Sequence, residues 1–134
     1  MEENLMDGKR KILLADDEPD ISLILRRYLQ IDGYDVTVCQ NGKEAWEKLS
    51  SNRYDLAILD VMMPEVNGWE VCRKVKGDVA MKDMPVIILT AKSQNTDAVM
   101  SYECGADEYS TKPFDYPQLS ATIKRLLEGK GVKG

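Results

Sequence analysis

Short apolar runs set the strongest limit on how this chain folds. They are KILLA at Lys11–Ala15, DVTVC at Asp35–Cys39, YDLAILD at Tyr54–Asp60 and PVIILT at Pro85–Thr90, with a shorter fifth segment at Glu108–Thr111. Between them, apolar residues recur at helical spacing. One set is Ile21, Ile24, Leu25, Tyr28 and Leu29, stopping at Asp32-Gly33. After Asn41-Gly42 come Ala45, Trp46 and Leu49, and Trp69–Lys76 carries Val71, Cys72 and Val75. Asn95–Cys104 is a weaker pattern ended by Gly105, and Leu119, Ile123, Leu126 and Leu127 mark a final helix. Nearly continuous apolar strands alternating with helices predict a parallel sheet covered on both faces. Right-handed crossovers make it an open, doubly wound α/β sheet, for which five strands allow the order 2-1-3-4-5. Ligands then bind beyond the carboxyl ends of strands 1 and 3, where the strand order reverses.

The 134 residues suffice for one domain with a real core. Residues 1–8 read as a flexible extension, 9–128 as the domain, and GKGVKG at 129–134 as a polar tail or linker. A net charge of −5 opposes the basic footprint that direct nucleic-acid contact requires. Cys39, Cys72 and Cys104 lie far apart without CxxC spacing, and the chain has no histidine. That argues against a Cys/His zinc site and removes the commonest general base. Buried thiols in a reducing compartment are expected. With no apolar leader core and no run of membrane-spanning length, a cytoplasmic protein without membrane contact is the expectation.

Chemistry must therefore rest on carboxylates, hydroxyls, lysines, backbone or a metal. The stretch LLADDEPD, Leu13–Asp20, ends a buried strand in a row of acids. Two such carboxylates about 4 Å apart repel by about 1 kcal/mol in water and about 4 kcal/mol at an effective dielectric near 20. One account is local: Asp17 caps a helix, Pro19 sits in its first turn, and acids suit the positive end of the dipole. The other is a shared crevice, because Asp16 and Asp17 end strand 1 and Asp60 ends strand 3. Thr90 ends strand 4 and Lys112 ends strand 5. Taken singly, each has a plain structural role. Taken together, the oxygen donors suit a hard cation such as Mg²⁺, Asp60 can act as a carboxylate nucleophile, and Lys112 and Thr90 can neutralise phosphoryl oxygens.

Four motifs carry a family resemblance: DDEPD at 16–20, LDVMMPEVNG at 59–68, LTA at 89–91 and YSTKPF at 109–114. From about Lys9 to Glu128 the chain resembles the response-regulator receiver domains of two-component signalling, similar to the single-domain chemotaxis type, with their flavodoxin-like fold. The resemblance implies a phosphorylation-activated switch, a phosphoacceptor domain rather than an enzyme. Asp60 would be the phosphoacceptor. Asp17, Asp60 and the Met62 carbonyl would bind Mg²⁺ directly, and Asp16 through water. Thr90 and Lys112 would contact the phosphoryl oxygens, with small Ala91 leaving room and Lys112-Pro113 cis. Tyr109 reads either as a half-buried strand tyrosine or as the family's rotating aromatic, coupled to Thr90. The surface of Asn95–Cys104, strand 5 and the last helix would then change for an effector.

The implied partners are a sensor histidine kinase or phosphotransfer protein, and a downstream effector or fused output domain. The oligomeric state would be a monomer or a phosphorylation-dependent dimer. Met62 and Lys92, two beyond Asp60 and Thr90, either point into solvent or tune dephosphorylation. Met62, Met63, Met81, Met84 and Met100 read as gap-fillers or adaptable surface. An alternative is an aspartate-nucleophile phosphatase of the haloacid-dehalogenase type, but that family places its nucleophile on strand 1 and follows the lysine with an acidic motif. A flavin-binding protein would need a loop rich in Gly, Ser and Thr after strand 1, where this chain carries acids.

Overall fold

The computed structural model describes residues 9–63, 65–91 and 104–133. Five parallel strands run in the order β2-β1-β3-β4-β5, the order that the alternation of segments allows and the family resemblance implies. They are β1 (Lys11–Ala15), β2 (Asp35–Cys39), β3 (Leu56–Asp60), β4 (Val86–Ala91) and β5 (Glu108–Lys112). The described helices are α1 (Pro19–Ile31), α2 (Gly42–Ser51), α3 (Gly68–Lys76) and α4 (Tyr116–Lys133). The expected helix over Asn95–Cys104 lies outside the described residues apart from Cys104 itself.

Successive strand residues point to opposite faces, so each central strand feeds two cores. Leu13, Ala57, Leu59, Val86 and Ile88 pack with Ala45 and Leu49 of α2 and Val71, Cys72 and Val75 of α3. Ile12, Leu14, Leu56, Ile58, Ile87 and Leu89 pack with Leu25 and Leu29 of α1 and Leu119, Ile123 and Leu127 of α4. The two layers differ in chemistry. Cys39, Cys72, Cys104, Met63 and Met84 all belong to the first, whereas the buried members of the second are Leu, Ile and Val. The three cysteines are buried and none forms a disulfide.

Three local expectations are corrected. In α1 the buried residues are Ser22, Leu25 and Leu29, whereas Ile24 and Tyr28 are exposed. Tyr28 instead stacks on Tyr116 of α4, ring centroids 4.6 Å apart. Asp17 does not cap α1: the N-cap residue is Glu18, which makes no side-chain capping bond. The last helix continues to Lys133, through residues assigned to a polar tail.

Side-chain caps set the starts of α2 and α3. Asn41 accepts from the Glu44 N–H at 2.7 Å, and Asn67 accepts from the Glu70 N–H at 2.9 Å. Each cap is followed by a glycine for a steric reason. A Cβ on Gly42 would lie 1.7 Å from the Val66 carbonyl oxygen, and one on Gly68 would lie 2.3 Å from that of Asp60. Gly68→Ala should therefore cost about 3 kcal/mol in chemical denaturation, at the upper end of ordinary overpacking. Gly129, exposed within α4 with open space around its Cα, should gain up to about 1 kcal/mol on substitution by alanine. No gain there would mean that α4 does not extend past Glu128.

Candidate functional site

The carboxyl ends of β1, β3, β4 and β5 converge on one crevice. Beyond β1, the Asp16 N–H donates to the Cys39 carbonyl at 3.0 Å, prolonging the ladder by one residue and fixing where Asp16 sits. Asp60 closes β3 and pairs in register with Leu89. Gly68 N–H donates to the Val61 carbonyl at 3.1 Å, folding the following loop tightly over the end of β3. Thr90 of β4 is aligned with Thr111, and Ala91 with Lys112. The Lys112–Pro113 peptide is cis.

Asp16 and Asp60 are buried and Asp17 is exposed, yet one carboxylate oxygen from each lies within 4.8 Å of the others. The shared-crevice account of the acidic run therefore holds. Against these carboxylates stands the Lys112 ammonium, 3.3 Å from Asp16 Oδ2 and 3.2 Å from Asp60 Oδ2. Its nearest partner is Glu18, whose Oε1 accepts a hydrogen bond at 2.7 Å. Glu18 was not among the predicted site residues. Its presence in DDEPD was the available signal, but its partner lies on another strand.

Burial, with the charge of Asp16 second, pushes the Asp60 carboxyl up to about 7 against the opposing pull of Lys112. Burial lowers the Lys112 pKa, but Glu18, Asp60 and Asp16 together outweigh it and hold the lysine above its usual range. One buried oxygen, Asp16 Oδ2, lacks a hydrogen-bond donor: the ammonium at 3.3 Å is near enough for an ionic contact but not aligned to donate. A buried acceptor in that state suits a cation or the water bound to one. The residues present thus fit Mg²⁺, with oxygen donors only.

The remaining predicted residues are placed unevenly. Thr90 is buried near the carboxyl end of β4, and Met62 is exposed, lining the crevice with Asp17, Ile21 and Pro113. Tyr109 is 41% exposed, in keeping with a half-buried strand tyrosine. Lys92 and the Ala91 side chain lie outside the described residues. The crevice has a volume of about 570 Å³.

Clustered carboxylates and a cation bound to the native state alone make stability depend on that cation. At Mg²⁺ a hundredfold above its dissociation constant, the gain should be about 2.7 kcal/mol. Asp17→Asn should reduce that gain. A thermal midpoint indifferent to millimolar Mg²⁺ at low ionic strength would remove the shared cation site.

Comparison with known proteins places this geometry in a family. The family model described as the response regulator receiver domain matches residues 12–124. The response regulator ArlR of Staphylococcus saprophyticus is 41% identical over 123 residues, covering 92% of this chain and 54% of that protein. The chain spans about half the length of the curated relatives it matches first. The receiver domain of a signal transduction histidine kinase from Syntrophus aciditrophicus superposes with a TM-score of 0.85 at 42% identity, covering 90% of this chain and 91% of that one. The response regulator TrrA of Thermotoga maritima, solved in complex with Mg²⁺ and BeF, gives a TM-score of 0.78 at 39% identity, covering 87% and 98%. Its Mg²⁺ agrees with the cation that the three carboxylates here suit. Strand order, the acids ending β1 and β3, the lysine ending β5 and these likenesses agree: the chain belongs to the response regulator receiver domain family, whose phosphoacceptor site is its Asp16–Asp17–Asp60 cluster with Mg²⁺ as cofactor.

Proposed function

We propose that the chain is a switch in which Asp60 takes a phosphoryl group from a histidine kinase or phosphotransfer domain and relays the added charge to an effector. The observation that carries this reading is the Lys112 ammonium within 3.3 Å of both Asp16 and Asp60, two buried carboxylates at adjacent strand ends. Asp17, Asp60 and the Met62 carbonyl would hold Mg²⁺, and Asp16 would act through a bound water. Mg²⁺ at this place supplies the positive charge that lets an anionic phosphoryl group approach three carboxylates.

The chain's own groups do the rest. An Asp60 carboxylate oxygen attacks phosphorus as the bond to the donor breaks, and the donor leaves with the electron pair. Lys112 then binds the phosphoryl oxygens, and the Thr90 hydroxyl turns toward them. Tyr109 follows Thr90 inward, changing the face made by Asn95–Cys104, β5 and α4.

The receiver domain works in the cytoplasm as a monomer or a phosphorylation-dependent dimer, without direct contact with nucleic acid or membrane. Its output passes to a separate effector or a fused output domain. None of the described helices is long and apolar enough to cross a membrane.

Two experiments test the reading. With acetyl phosphate and Mg²⁺, intact-mass analysis should show one phosphoryl group on the wild type and none on Asp60→Asn; equal labelling of both would refute the assignment. The second concerns lifetime. Met62 offers only a weakly accepting thioether, and Lys92 offers donors but no acceptor, so neither orients a water for attack on the acyl phosphate. Met62→Asn combined with Lys92→Glu should shorten the phosphoaspartate lifetime at fixed Mg²⁺. An unchanged or longer lifetime would place control of water elsewhere.

A further inference from the structure

Glu18 is an acid that phosphoryl transfer does not require, yet it lies closer to Lys112 than either Asp16 or Asp60 does. It precedes Pro19, where a side chain would ordinarily cap the helix, and it makes no capping bond. Its backbone is pinned on both sides. The Glu18 N–H donates to Asp16 Oδ1 at 2.8 Å, and its carbonyl accepts from the Ser22 N–H at 3.0 Å. So held, the side chain reaches Lys112 Nζ at 2.7 Å.

The carboxylates around that ammonium are not equivalent. The side chains of Asp16 and Asp60 are 0% and 5% exposed, whereas that of Glu18 is 55% exposed. Glu18 is therefore the member facing solvent, at the mouth of the crevice, and the one that water can most readily re-solvate. A lysine has three donors and no more. For Lys112 to turn toward phosphoryl oxygens, it has to leave the Glu18 carboxylate that accepts its hydrogen bond, the exposed acid of the three and the least costly to release. Its charge also stands where an anionic donor must enter, opposing the approach.

We infer that Glu18 is a positioning residue: it holds Lys112 at the mouth of the unphosphorylated site and slows phosphoryl entry from anionic donors. The inference rests on the reading that Asp60 is the phosphoacceptor. With acetyl phosphate, the bond from phosphorus to the acetate oxygen breaks, its electron pair leaves with acetate, and a bond forms from phosphorus to the Asp60 carboxylate. Glu18 takes no part in those bonds. It acts by where it keeps Lys112 and by its charge.

The test compares the 134-residue chain with Glu18→Gln and Glu18→Asp at saturating Mg²⁺ and low ionic strength. Glu18→Gln should raise the second-order rate constant for acetyl phosphate on the order of tenfold, about 1.4 kcal/mol of barrier. The excess should shrink as salt screens the charge. Glu18→Asp, which keeps the charge but shortens the reach, should fall between. A second readout needs neither metal nor donor: the Lys112 ammonium resonance should shift in Mg²⁺-free Glu18→Gln as its closest acceptor loses its charge. A rate constant unchanged or lowered in Glu18→Gln, while wild type is still labelled at Asp60, overturns the inference and leaves the phosphoacceptor reading intact. Wild type that takes up no phosphoryl group overturns that reading itself.

Discussion

At the carboxyl edge of the sheet the ammonium of Lys112, the one such group there among the described residues, stands within 3.3 Å of carboxylate oxygens from Asp16, Glu18 and Asp60. The sum of charge there is negative, and two of the three acids are nearly sealed from water. Such an arrangement is costly for a fold at rest, because like charges in a poorly solvated place repel strongly. It becomes favourable when cations or a phosphoryl group with its counter-charge rearrange it. The resting site is thus poised by electrostatics, and the rest of the molecule has to hold these charges close despite their repulsion.

The sheet does so by burying both of its faces. Asp16 and Asp60 are continuations of strands whose preceding residues are fully buried, so the carboxylates cannot separate without disturbing the core. Gly68 lets the loop after β3 lie against the Asp60 carbonyl, and Gly42 lets the same loop rest on the first turn of α2. At the other end of α1, Asp32 accepts hydrogen bonds from Tyr116 at 2.7 Å and Ser120 at 3.2 Å, tying α1 to α4. Local stiffness at both ends of α1 keeps the DDEPD turn aimed at Lys112.

Strand number and the convergence of Asp16, Asp17, Asp60 and Lys112 were readable from period and position, and the strand order came with the family resemblance. A run such as LAILD has few other uses, and residues at the ends of parallel strands meet by topology. What escaped depends on contacts between distant segments. Nearly every position of α1 from Ile21 to Ile31 that is not charged is apolar or small, so spacing alone could not choose Leu25 and Leu29 over Ile24 and Tyr28. The stacking of Tyr28 on Tyr116 decides part of that choice, and Tyr116 belongs to another helix. Glu18 was visible as a residue type, but its role required knowing that Lys112, 94 residues away, would come to it. GKGVKG read as a polar tail or linker, yet α4 runs through Gly129 and Gly131 to Lys133.

The unlike composition of the two core layers has a consequence for damage. Sulfur confers adaptable packing, but it also makes a side chain the preferred target of peroxide and related oxidants. Among the described residues the buried sulfur atoms sit under α2 and α3, and the layer under α1 and α4 holds only hydrocarbon side chains among its buried members. Oxidative injury to this core would therefore be one-sided. It would swell and polarise the packing beneath α2 and α3 while leaving chemically untouched the layer that carries α1, and with α1 the turn that presents Asp16, Asp17 and Glu18.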